Sequence, residues 1–168
     1  MSERSPAPGG LALIESLANT LDIETGADAL DTADGRARLG LTEEELPDAR
    51  ELRESLRAAL LAHAGHPPHR TVTPLGELLA QAPLVVTVDP ADGSAALAPS
   101  DAGPLLSRVA AAVAHALVEG TWTRLKACEA TTCHWAYYDR SPAGRGRWCS
   151  MQVCGARAKM RRYRAAKD

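Results

Sequence analysis

The sequence predicts a mainly α-helical protein: a helical N-terminal body with one β-hairpin, then a small C-terminal module organised by four cysteines, made of a hairpin and a basic helix. Three observations predict it. Apolar residues recur at helical spacing through most of residues 11–118, with a single short β-branched run among them. Charge reverses along the chain: residues 1–123 hold 8 Lys/Arg against 18 Asp/Glu, whereas residues 124–168 hold 11 against 3. All four cysteines and every aromatic residue, from Trp122 to Tyr163, lie in the last stretch, and Phe is absent. The body must therefore build its core from Leu, Val, Ile and Ala. These changes coincide near residue 121, where we place a boundary.

A chain of 168 residues suits one domain plus a small module. Residues 1–9, polar and rich in Pro and Gly, are expected to be disordered; residues 10–121 form the body and residues 122–168 the module. Residues 1–120 are expected to fold alone.

Each element has a local cause. Leu11, Ile14, Leu17, Ala18 and Leu21 predict a first helix ending near Asn19-Thr20, and a short helix is expected after Thr32. Thr42 and Glu45 form a capping box, and Pro47 marks a helix restart. From Asp48 onward, Ala49, Leu52, Leu56, Ala59, Leu60 and His63 line one face. Arg50, Glu51, Arg53, Glu54 and Arg57 are assigned mostly to the solvent side, with Gly65 as the C-cap. Thr73-Pro74 opens a short helix through Gln81. Leu84-Val85-Val86-Thr87-Val88 is a strand, the Asp89–Ser94 segment is turn chemistry, and Ala95 to Ala98 returns antiparallel. Pro104 opens a long helix with Leu105, Leu106, Val109, Val113, Ala116 and Leu117 on its apolar face, ended by Gly120.

Composition excludes several classes. No apolar run reaches the length of a membrane span, and residues 1–10 contain no stretch of signal-peptide type. A cytoplasmic location with reduced thiols is expected. His63, His66 and His69 invite a metal reading, but Pro67-Pro68 breaks any helix there and no carboxylate or cysteine accompanies them. No nucleophile elbow, phosphate loop or framed carboxylate pair is visible, so no enzymatic activity is expected.

The cysteines follow the pattern Cys-x4-Cys-x15-Cys-x4-Cys, at Cys128, Cys133, Cys149 and Cys154. Each pair closes a small loop, and the insert brings the loops together. Four thiolates in a reduced compartment suit one structural zinc ion, closed to catalytic water. Two disulfides, free thiols or an iron–sulfur cluster are the alternatives. Within the insert, residues 134–138 alternate like a strand, and Arg147-Trp148-Cys149 is expected to return beside it. Ser150 is expected to cap a helix that carries Cys154 in its first turn.

That helix is dense in charge. Arg157, Arg161 and Arg164 share one face, Lys159 and Arg162 a neighbouring one, and Lys167 follows. Arg140, Arg145 and Arg147 form a second basic patch. A phosphate backbone would offset the mutual repulsion, so nucleic acid is the expected partner; a solubilising tail is the plain alternative. Arg147 and Arg157 are the expected base readers. Trp135, Tyr137 and Trp148 are expected to pack the module.

These residues resemble a known family. Arg124-Leu125-Lys126-Ala127-Cys128, Cys133, Tyr138-Asp139, Arg147-Trp148-Cys149-Ser150-Met151 and Cys154-Gly155-Ala156-Arg157-Ala158-Lys159 are similar to the CGNR zinc finger, with Ala156 where its signature has Asn. Leu11-Ala12-Leu13, Asn19-Thr20 and Glu51-Leu52-Arg53-Glu54-Ser55-Leu56-Arg57 resemble its usual partner, the ABATE domain. The resemblance implies a bacterial, stress-related transcription regulator with a largely helical N-terminal domain. A zinc-dependent DNA-binding regulator is thus the expected function, with the body sensing a small molecule or forming a homodimer. RNA binding is the alternative, and an enzyme with its site in the body a more distant one.

Overall fold

The structure, a computed structural model, describes residues 5–167. Its body contains α1 (Leu11–Ala18), α2 (Ala33–Leu39), α3 (Leu46–His63), α4 (Leu75–Leu79), the strands β1 (Leu84–Val88) and β2 (Ala95–Pro99), and α5 (Leu105–Val118). The module follows with β3 (Leu125–Ala127), β4 (Ala136–Tyr138) and α6 (Ala156–Ala165). The protein is mainly α, with two small antiparallel hairpins.

The core forms where α1, α3 and α5 meet. Leu11, Ile14 and Leu17 of α1, Leu52, Leu56 and Leu60 of α3, and Val109, Val113 and Ala116 of α5 are all buried in one cluster. Leu117 of α5, assigned to this face by spacing, points outward instead and is 59% exposed. Thr32 caps α2 by accepting from Gly35 N–H, as expected. Glu45 bonds back to Thr42 N–H at 2.8 Å, half of the expected capping box, while α3 itself begins at Leu46. Thr73 does not cap α4; its carbonyl accepts from Ser55 Oγ and its hydroxyl donates to Glu51, fastening the loop to α3. β1 and β2 pair antiparallel, as expected, with a register that runs from Leu84↔Pro99 to Val88↔Ala95.

Three expectations are corrected. Arg53, Glu54 and Arg57 are not on a solvent face: they are 4%, 3% and 1% exposed. Burying such charges is tolerable only with partners. Arg57 donates to both Glu54 oxygens at 3.0 and 2.8 Å and to Ala18 O at 2.6 Å, where α1 ends. Arg53 donates to Glu54, Thr20 Oγ1 and Asp28 at 2.8, 3.0 and 2.7 Å. The network closes the C-terminal end of α1 onto α3.

The second correction concerns the module's hairpin. β4 pairs with β3, Leu125↔Tyr138 through Ala127↔Ala136, and not with residues 147–149. Of the expected return strand, Arg147 O accepts one backbone bond from Glu129 N–H at 3.0 Å. Alternation then sends Leu125 and Ala127 into the body's core and Lys126 to the other side.

The two compositional regions thus share one core. Leu125, Ala127 and Ala136, at most 1% exposed, belong to the body's cluster, with β3 against α3 and β4 against α1. His63 Nδ1 bonds Leu125 O at 2.8 Å. Asn19 uses both ends of its amide on Ala136, donating to its carbonyl at 3.0 Å and accepting from its N–H at 2.7 Å. The amide stands in for a further strand. Residues 1–120 alone therefore lack the three side chains that the module adds to this core.

The third correction is at the N-terminus. Residues 1–4 lie outside the described residues; of the rest of the segment expected to be disordered, Ser5, Pro6, Pro8 and Gly9 are exposed, but Ala7 is packed. Ala7 is 4% exposed and its N–H donates to Glu15 at 2.6 Å, while Arg140 donates to the carbonyls of Ser5 and Pro6.

Candidate metal centre and nucleic-acid interface

Two five-residue turns build the cysteine site. Cys128 follows β3 directly, and the chain turns so that Cys133 and His134 N–H groups both reach Ala130 O, at 2.8 and 3.1 Å. His134 adopts a positive φ of 47°, and its ring bonds Cys128 O at 3.1 Å, locking the turn. In the second turn Ser150 Oγ accepts from Val153 N–H, as expected, and Gly155 N–H reaches Ser150 O at 3.0 Å. This wide, π-type turn over Met151–Gly155 carries Cys154 and leads directly into α6. A side chain at Gly155 would meet Trp148 and Met151 at 3.1–3.3 Å, so glycine permits that packing.

The four Sγ atoms lie within 4.8 Å of one another, and no other His, Cys, Asp or Glu group among the described residues is placed to share a metal. Two edges are 3.6 Å (Cys133–Cys149) and 3.8 Å (Cys149–Cys154). A tetrahedron with Zn–S of about 2.3 Å has S–S edges of about 3.8 Å, so the cage fits that ion. Disulfides need about 2.05 Å, and all four cysteines are free. Electrostatics agree. Hydrogen bonds from Cys133 and Cys149 hold the Cys128 thiol down at about 2, and in return its thiolate pushes Cys133 up to about 12 and raises Cys149. Burial first, then the same thiolate, raises Cys154. Each thiolate thus disfavours ionisation of its neighbours, and a dication would stabilise all four together.

The adjoining loop is held by Asp139. Its carboxylate is buried, which alone would raise its pKa, yet hydrogen bonds from Ser141, Lys126 and Gly146 N–H hold it well below the usual range. A Cβ at Gly146 would sit 2.8–3.0 Å from that carboxylate, so only glycine fits.

The basic residues divide into two groups. Arg147 pairs with Glu129 through two nitrogens and lies over Trp148, and Arg157 pairs with Glu24 at 3.0 Å. Arg140 lies over Tyr138 and is tied to the N-terminal carbonyls. Arg145, Lys159, Arg161, Arg162, Arg164 and Lys167 are exposed and meet no carboxylate among the described residues. Five of those six are on α6 or just beyond it. In α6 only Ala158 is buried, and Met160 and Tyr163 are 51% and 57% exposed, so the helix projects from its metal-fixed base. Tyr137 is buried and Trp135 and Trp148 half-buried, as expected of packing residues.

The three histidines take separate partners: His63 the Leu125 carbonyl, His66 Glu129 at 3.5 Å, His69 Glu54 at 2.9 Å. The charged network around Glu54 is the feature that residue-by-residue reading placed on the wrong face. It approaches the metal site, because the His69 ring lies 5.7 Å from that of His134.

Comparison with known families matches residues 11–120 to ABATE, described as a putative stress-induced transcription regulator. Residues 124–167 match the CGNR zinc finger. A search of curated proteins finds no significant match. No helix among the described residues is long and apolar enough to cross a membrane.

Proposed function

The chain belongs to the ABATE family and ends in a CGNR zinc finger that provides a site for one structural zinc ion, and from that premise we propose that it is a DNA-binding transcription regulator, without enzymatic activity of its own. The observation that carries the proposal is the set of cations on α6 that meet no carboxylate among the described residues, displayed on an exposed helix that continues directly from the turn holding Cys154. Such cations gain most from phosphates, because binding releases condensed counterions. Rigid attachment separates this arrangement from a solubilising tail.

Lys159, Arg161, Arg162 and Arg164 are the foremost phosphate contacts, with Arg145 and Lys167 beside them. Arg147 and Arg157 each have a carboxylate partner at the surface. Exposed pairs of this kind exchange readily, so these arginines can turn to DNA only after releasing Glu129 or Glu24. Tyr163, exposed next to Arg164, can contact the sugar–phosphate backbone.

A homodimer belongs to the same proposal, with β1 as its surface. That strand carries no charge, and Val86 and Val88 are 68% and 61% exposed. Bare strand edges are normally shielded by charge, proline or a covering element. Antiparallel pairing of two β1 strands about Val86 sets Asp89 of each copy opposite Pro83 of the other, so the acidic turns stay apart. Two zinc modules on one duplex would then reinforce each other. Sedimentation equilibrium should show a dimer; a monomer at every concentration would remove this part.

The DNA reading is tested by competition. Duplex DNA and structured RNA are offered together to the zinc-loaded protein and to Arg161→Ala/Arg162→Ala. The parent should prefer duplex DNA, and the variant's salt slope should be shallower by about 2, at about 0.9 per lost contact. Zinc content should not change, since neither residue is a ligand. Preference for RNA would assign the surface to RNA. A variant equal to the parent at every salt concentration would leave α6 a solubilising tail.

A further inference from the structure

We propose that the cysteine cage has one oxidisable edge: a peroxide joins Cys133 and Cys149 in a disulfide, and the zinc is released.

The cage is unevenly shielded. Cys128 and Cys154 are 0% and 3% exposed, whereas Cys133 and Cys149 are half-buried. A cleft of about 450 Å³ opens between the zinc module and the body, lined by Cys133 and Cys149 together with Trp135, Val153, Glu15 and Glu24; Cys154 also contributes to its wall. A small oxidant therefore meets Cys133 and Cys149 first. Their Sγ atoms are 3.6 Å apart and belong to different turns, so a closure of roughly 1.5 Å gives a disulfide bond length. Thiolates that are exposed and stand next to a second thiolate are the ones that oxidise reversibly. The cleft wall carries three carboxylates, Glu15, Asp22 and Glu24, against one guanidinium, Arg157, which pairs with Glu24; the acidic excess disfavours anionic oxidants and leaves hydrogen peroxide, which is neutral, unopposed.

The chemistry balances. One thiolate, that of Cys133 or Cys149, attacks a peroxide oxygen; an S–O bond forms, the O–O bond breaks, and hydroxide leaves to be protonated to water. The other thiolate attacks the resulting sulfenic sulfur; the S–S bond forms, the S–O bond breaks, and a second hydroxide leaves. Two sulfurs supply two electrons to the peroxide, and zinc remains divalent throughout. The ion then keeps only Cys128 and Cys154, half of its ligands, and dissociates. Because Cys149 and Cys154 fix the turn that starts α6, oxidation also frees the helix from its base. The effect on nucleic-acid binding rests on the DNA reading; the disulfide and the zinc loss do not.

The test treats the zinc-loaded full chain with a molar excess of hydrogen peroxide. Released zinc is read with a chromogenic chelator, and remaining thiols are alkylated. Cleavage by trypsin and a Glu-specific protease separates Cys128 from Cys133 at Glu129, and fragmentation around Met151 separates Cys149 from Cys154. One zinc should be lost per disulfide, and peptide 130–140 should be linked to peptide 148–157 through Cys133 and Cys149. Cys128 and Cys154 should carry the alkyl group, and dithiothreitol plus zinc should restore the metal. Zinc retained with four reduced cysteines under excess peroxide would overturn the proposal, as would a disulfide that includes Cys128 or Cys154. DNA binding, measured on the same samples, reports separately on the DNA reading.

Discussion

Cys154→Ser is expected to abolish zinc binding and to unfold the module from the first cysteine turn through α6. The module has almost no aliphatic core: its buried cluster is Cys128, Ala130 and Cys154, flanked by Cys133, Trp148 and Cys149. The metal takes the place of a core, and in small zinc modules its binding supplies about 10–16 kcal/mol of folding free energy. The body should keep its helices and β3–β4 its position, because Leu125, Ala127 and Ala136 are held by α1 and α3 and not by zinc. Elemental analysis should fall from one zinc per chain to none, and Trp135 and Trp148 fluorescence should shift to the red while far-ultraviolet dichroism stays largely helical. A variant that still holds one zinc would mean that Cys154 is not a ligand.

Glu54→Ala should destabilise the body by about 3–5 kcal/mol, the usual cost of stranding a buried charge. Glu54 is 3% exposed and is the shared acceptor for Arg53, Arg57 and His69, so its loss leaves two buried guanidinium groups short of an anion. Glu54→Gln, which keeps one of the two acceptor oxygens in place, should cost less. Urea unfolding at neutral pH checks both. A pH dependence follows as well. Burial would raise the Glu54 pKa, but Arg57 and Arg53 hold it below 4.5; burial lowers that of His69 below 6.5 despite Glu54. Both folded pKa values are depressed, so both groups stabilise the fold above their unfolded pKa values. The His69 contribution is lost as pH falls from 6.5 through its folded value, and that of Glu54 as pH falls from 4.5 through its own.

Much of this was visible in the chain. The zinc cage follows from cysteine spacing, and the cap by Ser150 is local too, because capping and ligation act over five or six residues; the wide turn over Met151–Gly155, which delays the α-helix to Ala156, has no such signal. The β1–β2 hairpin follows from a β-branched run and an Asp-rich turn. What escaped depends on distant partners. Arg53, Glu54 and Arg57 look like a solvent face because each charge alone belongs in water; only Asp28, Thr20 and the open end of α1, brought close by the fold, make their burial tolerable. The pairing of β3 with β4 escaped because each strand has three residues and the turn between them is a cysteine loop. Asn19 acting as a surrogate strand for Ala136, across 117 residues, has no local signature. The carboxylates facing Arg147 and Arg157 are of the same kind: Glu129 and Glu24 are ordinary surface acids until folding places them. Local chemistry thus revealed the metal and the helix that it starts, while the division of the basic residues into paired and free required the fold.

The most direct measurement is the affinity of the zinc-loaded protein for duplex DNA as a function of salt concentration. With Arg145, Lys159, Arg161, Arg162, Arg164 and Lys167 meeting no carboxylate among the described residues, about four to six phosphate contacts per chain are expected. Log affinity should then fall against log salt with a slope of about −4 to −5 per chain, and removing the zinc should flatten the slope and weaken binding together. Binding that does not depend on salt, or no binding to duplex DNA even at low salt, would contradict a zinc-supported phosphate-gripping helix.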